Sequence, residues 1–198
     1  FPQEQTQSSG FFVPHSVQNL PELLLPQAHC HTALPCGAGA ETGAEAMFIE
    51  KYGDILNLDY GVDAIVNSAN PFMSRGGGIC GIIHKAAGFE FTEYCIKQGG
   101  LKVGECKITP GFKLPYEYVI HVLSPIYERV ENPKQALIST YHNACALAEE
   151  YHLKRIAFPL LSGDHHRYPV ELALEYAKEA FETYNTDELE AVLVLKEM

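Results

Sequence analysis

The chain has 198 residues, of which 46% are hydrophobic and 20% charged, values typical of a soluble globular protein with one sizeable core. Its 14 basic residues are dispersed among 25 acidic ones, and the net charge of −11 argues against nucleic acid as a partner. Since no apolar run is long enough to span a bilayer, we also predict no membrane partner.

Residues 1–46 differ in composition from the rest of the chain. They contain no lysine or arginine, hold five of the twelve prolines and show no sustained helical or strand periodicity. The chain starts without a basic segment, which argues against a signal peptide. We therefore predict an irregular N-terminal arm or extension over residues 1–46 and one folded domain over residues 47–198.

Within the arm, His29, Cys30, His31 and Cys36 lie close together in sequence and are of metal-binding type. Their spacing fits no standard zinc module, so we favour a proline-containing loop and predict neither a metal nor a cofactor. The six cysteines of the chain follow no disulfide-framework spacing, which predicts reduced thiols and a cytoplasmic protein. We expect the protein to be a monomer.

The segment 61–88 reads as a buried strand, a polar loop, three glycines and a helix. Residues 63–66 form a short apolar run typical of a strand that is covered on both faces. The glycines at 76–78 expose main chain directly before the helix, where unpaired amides and the helix dipole favour anions. We predict a phosphate site here; the alternative is a tight turn that only allows close helix packing.

The remaining pattern predicts alternating strands and helices. Strands are predicted at residues 48–52, 63–66, 104–112, 118–125, 156–161 and 191–195, and helices at 79–87, 89–97, 133–152 and 170–184. The alternation indicates an α/β fold, a three-layer α/β/α sandwich with a mixed, mostly parallel central sheet and helices on both faces. Ligands of such sheets bind at the carboxyl ends of the strands, where we expect the loops 67–80 and 162–168.

Several motifs in this chain resemble those of the macrodomain family. DAIVNSAN at 63–70, GGG at 76–78 and IHKAAG at 83–88 match the family's phosphate loop, with one serine in place of an alanine. GDI at 53–55, GECKIT at 104–109 and YVIHVLSP at 118–125 resemble further family segments. The resemblance covers residues 47 to about 195, and it implies the macrodomain fold with a cleft for ADP-ribose.

The resemblance also implies roles for individual residues. Asp54 would accept a hydrogen bond from the adenine amino group, and Asn70 would lie at the distal ribose; a turn or capping role is the alternative for each. The predicted ligand-binding residues are Asp54, Ile55, Asn67, Ser68, Asn70, Gly76, Gly77, Gly78, Ile79, Cys80, Ser162, Gly163, Asp164, His165 and His166. Asn70 and His166 are the predicted catalytic residues. His121 alternates with apolar residues and is interpreted as structural.

Two positions depart from the family pattern. Cys80 stands where one hydrolytic group has aspartate, and with a reference pKa of about 8.5 we interpret its thiol as a packing group rather than a nucleophile. Asp164 stands where the second phosphate loop has glycine, and it would repel a diphosphate unless His165, His166 and Arg167 compensate. His166 takes the place of an aromatic residue beside the distal ribose, where it could act as acid or base or simply stack.

The resemblance implies an ADP-ribose-binding hydrolase that removes ADP-ribose from modified proteins or deacetylates O-acetyl-ADP-ribose. Its expected partner is ADP-ribose or an ADP-ribosylated protein. A diphosphate oxygen of the substrate could orient the attacking water, so we expect Asn70→Ala to abolish turnover with little loss of stability. Two alternatives remain open: a non-catalytic reader of ADP-ribosylated partners, and a phosphatase of ADP-ribose 1″-phosphate.

Overall fold

The computed structural model describes residues 48–162, 166–186 and 188–196. The predicted arm, with its histidines and cysteines, lies outside these described residues, as do Gly163, Asp164 and His165 of the predicted second phosphate loop. The strands of the described part are β1 (Phe48–Tyr52), β2 (Ala64–Ser68), β3 (Cys106–Pro110), β4 (Tyr118–Val122), β5 (Arg155–Pro159) and β6 (Glu190–Leu195). The helices there are α1 (Gly78–Ala87), α2 (Phe89–Lys97), α3 (Pro133–Glu150) and α4 (Val170–Thr183).

The strands of the described part form one sheet in the order β1-β6-β5-β2-β4-β3. All neighbouring pairs are parallel except β3 and β4, which are antiparallel and joined by a short turn. The first and last strands of the described chain, β1 and β6, lie side by side, with Phe48 opposite Ala191 and Tyr52 opposite Leu195. The sheet is therefore mixed and mostly parallel, as the sequence pattern predicts.

Alternating side chains of each inner strand supply two separate cores. In β2, Ala64 and Val66 pack in the core beneath α3 and α4, whereas Ile65 packs in the core beneath α1 and α2. All three side chains are fully buried, because successive residues of a strand point to opposite faces and helices cover both. This arrangement confirms the predicted three-layer sandwich.

The carboxyl ends of the five parallel strands meet at one edge of the sheet. The segment after β1 begins with Gly53, the segment after β2 contains the glycine loop, and the segment after β5 leads to Ser162. The described segments that carry predicted site residues therefore meet at the same edge, from three strands that are distant in sequence. Within the described ranges, none of the helices has both the length and the hydropathy that a bilayer crossing needs.

Helix α3 ties one of these loops to the core. The helix begins with Asn132 as its cap, whose side chain accepts a hydrogen bond from the Gln135 amide (3.2 Å). Two turns later the fully buried Tyr141 accepts a hydrogen bond through its hydroxyl oxygen from the Leu161 amide (2.9 Å), directly after β5. Tyr141 therefore helps to set where the loop leaves the sheet.

We predict that Tyr141→Phe lowers the free energy of unfolding by about 1–3 kcal/mol, because the buried Leu161 amide loses its acceptor. Tyr52→Phe is the matched control: Tyr52 is 63% exposed, and its loss should cost less than about 0.5 kcal/mol. Chemical denaturation of the two variants measures the difference. Equal stability would mean that the Leu161 amide finds another acceptor.

Candidate functional site

The three glycines at 76–78 form an exposed loop at the start of helix α1. Gly77 is the residue before the helix, in an extended conformation (φ −89°, ψ −178°), and as a glycine it has no side chain with which to cap the helix. Gly78 has a φ of 54°, which a residue with a side chain adopts only with strain. The first-turn amides are thus left to solvent or to an anionic ligand.

Close main-chain packing holds this loop against α1. A Cβ atom at Gly81 would lie 2.4 Å from the carbonyl oxygen of Gly76, a distance that no side chain tolerates. A Cβ atom at Gly76 would lie 3.2 Å from Nδ2 of Asn70. The alternative of close helix packing therefore applies to Gly76 and Gly81, while Gly77 and Gly78 face solvent. Sequence reasoning overlooked Gly81, although it follows the triplet in the run GGGICG.

The Asn70 side chain organises the turn before the glycines. Its Oδ1 accepts hydrogen bonds from the Phe72 amide (3.0 Å) and from the Ser74 amide and hydroxyl (each 3.3 Å). Its Nδ2 donates to the Ser74 carbonyl oxygen (2.6 Å). The fully buried Met73 has a positive φ of 52° within the same turn. The turn is thus rigid, and Asn70 has the local role that the sequence left as its alternative.

Asn67 lies beneath the glycine loop rather than facing the edge. The strand β2 runs two residues further than predicted, to Ser68, and Asn67 is a fully buried member of it. Its amide donates to Nδ1 of His121 (3.1 Å) and lies 3.9 Å from Sγ of Cys80. Asn67 therefore belongs to the layer beneath the loop, and its predicted ligand-binding role stays a prediction. Ser68, partly exposed at the strand end, keeps its predicted place at the edge.

Cys80 is buried in the first turn of α1, with 4% of its surface exposed. Its thiol points to the Ser74 carbonyl oxygen at 3.6 Å. Burial raises the pKa of the thiol, an effect larger than the opposing hydrogen bonds. A buried thiol of raised pKa is a packing group and not an activated nucleophile, which agrees with the interpretation made from the sequence. Ile79, beside it, is partly buried.

His121 is fully buried and fully hydrogen-bonded in β4. Because the Asn67 amide donates to its Nδ1, the proton of the neutral ring lies on Nε2, which donates to the hydroxyl oxygen of Thr109 (3.0 Å). Burial, and secondarily the nearby His84, lowers the pKa of His121 to about 3. His121 is therefore a neutral structural residue, as predicted.

His84 is a second buried histidine, one helical turn after Cys80. Its Nδ1 lies 2.9 Å from the Thr92 hydroxyl oxygen, and its ring packs edge-on against Phe91. Burial, followed by the positive charge of Arg75, lowers the pKa of His84 to about 4. Within the described residues, its Nε2 and Oδ1 of Asn67 have no hydrogen-bond partner. The floor of the glycine loop is thus polar but uncharged.

Asp54, the predicted adenine contact, lies in an exposed turn after β1. Asp54 accepts hydrogen bonds from the Leu56 amide (3.0 Å) and the Asn57 side chain (2.7 Å). Ile55 is buried, and its carbonyl oxygen accepts a hydrogen bond from the Tyr116 hydroxyl (2.7 Å). Asp54 therefore stabilises its own turn while remaining open to solvent at the same edge as the glycine loop.

The second loop is described only at its ends. Ser162 has a positive φ of 65°, is buried, and donates through its hydroxyl to the Pro125 carbonyl oxygen (3.3 Å). The carbonyl oxygen of His166 accepts a hydrogen bond from the Tyr127 amide (3.0 Å). His166 is partly exposed at the same edge, and its catalytic role stays a prediction. Among the described residues, no three side chains of metal-binding type form a cluster.

The fold and the carboxyl edge of the sheet define a class of protein: an α/β/α sandwich with a glycine loop where the parallel strands end. The sequence profile of the Macro domain matches residues 66–177. A macro domain-containing protein of Chlorobaculum tepidum is 44% identical over 125 residues, which cover 63% of this chain and 72% of that protein. The chain belongs to the macro domain family.

Relatives with more specific names are also similar. The ADP-ribose glycohydrolase MACROD2 of Xenopus laevis is 42% identical over 147 residues, covering 71% of this chain but 34% of that protein. The Trypanosoma brucei macrodomain solved in complex with ADP-ribose has a TM-score of 0.68 at 29% identity, over 76% of this chain and 63% of that one. The Oceanobacillus iheyensis macrodomain with ADP has a TM-score of 0.64 at 32% identity, over 69% and 77%. These structures confirm the fold.

We predict that stability falls on acidification because of the two buried histidines. In the unfolded chain a histidine titrates near pH 6.5, whereas the folded pKa values of His84 and His121 are about 4 and about 3. The unfolded state therefore binds protons first, so stability is complete above about pH 6.5 and declines until about pH 3. Thermal unfolding against pH tests this. His84→Gln should flatten the decline, and an unchanged curve would contradict the assignment.

We also predict that Asn70→Ala lowers the free energy of unfolding by about 1–3 kcal/mol, since it removes the partner of three donors and one acceptor in the turn. This revises the expectation of little loss of stability. Asn57→Ala, at an exposed asparagine, should cost less than about 0.5 kcal/mol. Denaturant titrations compare the two, and an equally stable Asn70→Ala variant would restore the original expectation.

Proposed function

We propose that this chain binds ADP-ribose across the carboxyl edge of its sheet and hydrolyses a bond at the distal ribose. The products would be ADP-ribose and either an unmodified protein or, from O-acetyl-ADP-ribose, acetate. The observation that carries the proposal is the exposed main chain of residues 76–78 at an uncapped helix start, on the same edge as Asp54. The similar Trypanosoma brucei macrodomain in complex with ADP-ribose supports binding, and the similar ADP-ribose glycohydrolase of Xenopus laevis supports hydrolysis.

Neutral main-chain groups would make most of the binding contacts with the diphosphate. The protein as a whole carries a net charge of −11, which repels an anionic ligand at long range. The amides of the glycine loop and a helix dipole of about half a positive charge act only at short range, where they favour the ligand's phosphates. Exposed Arg75, directly before the glycines, adds a formal positive charge beside them.

Asn70 would act mainly by geometry. Its Oδ1 already accepts three hydrogen bonds, while one of the two Nδ2 hydrogens is used by the Ser74 carbonyl oxygen. The remaining hydrogen can bond to a ribose hydroxyl or to the attacking water. A diphosphate oxygen of the substrate would orient that water, so the protein contributes positioning and preorganised dipoles. His166 is the candidate acid or base on the facing loop.

A reader of ADP-ribosylated proteins is the second candidate function. It is favoured by Cys80, whose burial and raised pKa suit neither a nucleophile nor a substitute for a catalytic carboxylate. Removal of phosphate from ADP-ribose 1″-phosphate remains the further alternative. Cys80, Cys95 and Cys145 are free thiols, which supports a proposed cytoplasmic location.

We predict that Gly77→Glu weakens ADP-ribose binding by about 100-fold or more. A carboxylate about 4 Å from a phosphate charge is repelled by roughly 4 kcal/mol at an effective dielectric of about 20. Phe89→Glu is the control and adds the same charge at a 74% exposed position. Its neighbour Gly88 packs on Lys113 in the β3–β4 turn, at the opposite edge of the sheet. This variant should therefore bind ADP-ribose with an affinity within about twofold of wild type. Calorimetric titration measures both.

The titration should include AMP and ribose 5-phosphate, which separate the adenosine end from the distal ribose end. Wild-type protein is then incubated with mono-ADP-ribosylated protein, O-acetyl-ADP-ribose and ADP-ribose 1″-phosphate. Release of ADP-ribose or acetate supports the hydrolase, and release of phosphate supports the phosphatase. Binding without turnover of any substrate leaves the reader, whereas an unchanged affinity of the Gly77→Glu variant contradicts the site.

A further inference from the structure

Two exposed apolar side chains lie in neighbouring segments at the carboxyl edge. Phe72, in the turn after β2, is 75% exposed, and Val103, in the segment before β3, is 57% exposed. Their segments are joined by a hydrogen bond of 2.9 Å from the Leu101 amide to the Pro71 carbonyl oxygen. We call Phe72 and Val103 together the Phe72 surface.

The strand order gives this surface its relation to the proposed ligand. Along the carboxyl edge, Asp54 follows β1 at one end of the sheet and Asn70 follows β2, while β4 and β3 lie beyond β2 on the other side. A nucleotide that extends from Asp54 to Asn70 has its distal ribose directed towards β4 and β3. Whatever is attached to that ribose therefore continues towards the Phe72 surface.

Phe72 is held in its exposed position by its neighbours. Its amide donates to Oδ1 of Asn70 (3.0 Å), and the next residue, Met73, is fully buried. On the other side, a Cβ atom at Gly100 would lie 2.6 Å from the Pro71 carbonyl oxygen, so the two segments are in close main-chain contact. An aromatic side chain on a rigid turn loses little freedom on binding, which makes it an efficient contact for a partner.

The charge around the Phe72 surface differs in sign from that of the whole protein. Residues 96–107 contain three lysines and one glutamate, whereas the chain carries a net charge of −11. Lys97 and Lys102 are exposed, and so is Arg75 in the turn that also carries Phe72. This local positive charge favours an acidic partner over a basic one.

We infer that the Phe72 surface binds the polypeptide to which ADP-ribose is attached. The preferred polypeptide has an apolar side chain next to the modified residue and acidic residues around it. This inference rests on the proposed function, because it names the group attached to the ADP-ribose that the proposed site binds. It makes Phe72 a residue that favours binding of modified proteins over free ADP-ribose.

The test compares two phenylalanines of equal exposure. Phe72→Ala alters the proposed contact, and Phe89→Ala alters a 74% exposed phenylalanine at the opposite edge of the sheet. The probes are free ADP-ribose and a short acidic peptide that has leucine beside a residue carrying ADP-ribose through a non-hydrolysable linkage. Wild type should bind the conjugate more tightly than free ADP-ribose. Phe72→Ala should weaken conjugate binding about tenfold and free ADP-ribose binding less than about twofold, while Phe89→Ala changes neither.

Equal affinity of the Phe72→Ala and wild-type proteins for the conjugate would overturn the inference and leave the proposed function intact. Equal weakening of both probes would also overturn it, since Phe72 would then contact the nucleotide. A concentration-dependent dimer that Phe72→Ala dissociates would show that a second copy covers the surface, and would overturn it as well. If the wild-type protein bound neither probe, that result would instead contradict the proposed function. Val103→Ser provides a second variant with the same expected selectivity.

Discussion

The candidate site depends on the contact between Gly81 and Gly76. Because Gly81 has no side chain, the first turn of α1 packs directly against the carbonyl oxygen of Gly76 and fixes the start of the loop against the helix. The amides of the loop are consequently held at the surface, where Gly77 and Gly78 are exposed. A single methyl group at position 81 would separate the two segments, so the site is built by main-chain packing more than by any side chain.

The layer of side chains beneath the glycine loop is polar but uncharged. Asn67 of β2, Cys80 of α1 and His121 of β4 lie beneath the glycine loop, linked by hydrogen bonds and buried. Charged groups in that position would need to be desolvated, so the lowered pKa of His121 and the raised pKa of Cys80 both favour the uncharged forms. A diphosphate above this floor would meet main-chain dipoles from the loop, with Arg75 as a formal positive charge beside it.

The alternation of apolar runs was sufficient to predict the three layers and the edge at which the loops meet, because burial on both faces leaves a strong signal. Side-chain direction was harder to predict. Asn67 was named as a ligand-binding residue from the family resemblance, but the strand continues to Ser68 and the Asn67 side chain is buried within it. The four hydrogen bonds of Asn70 and the role of Gly81 depend on the path of the turn, which residue spacing does not specify.

The pairing of β1 with β6 has a consequence for biosynthesis. Strand β1, which leads to Asp54, contacts the sheet through β6, and the Gly53 amide bonds to the carbonyl oxygen of Leu195 (2.9 Å). During translation, the first strand of the described domain must wait for the last one before it can dock, a contact of high sequence separation that slows folding. The glycine loop, between β2 and α1, can form earlier. A nascent chain would therefore form the glycine loop before the strand that leads to Asp54 has docked on the sheet.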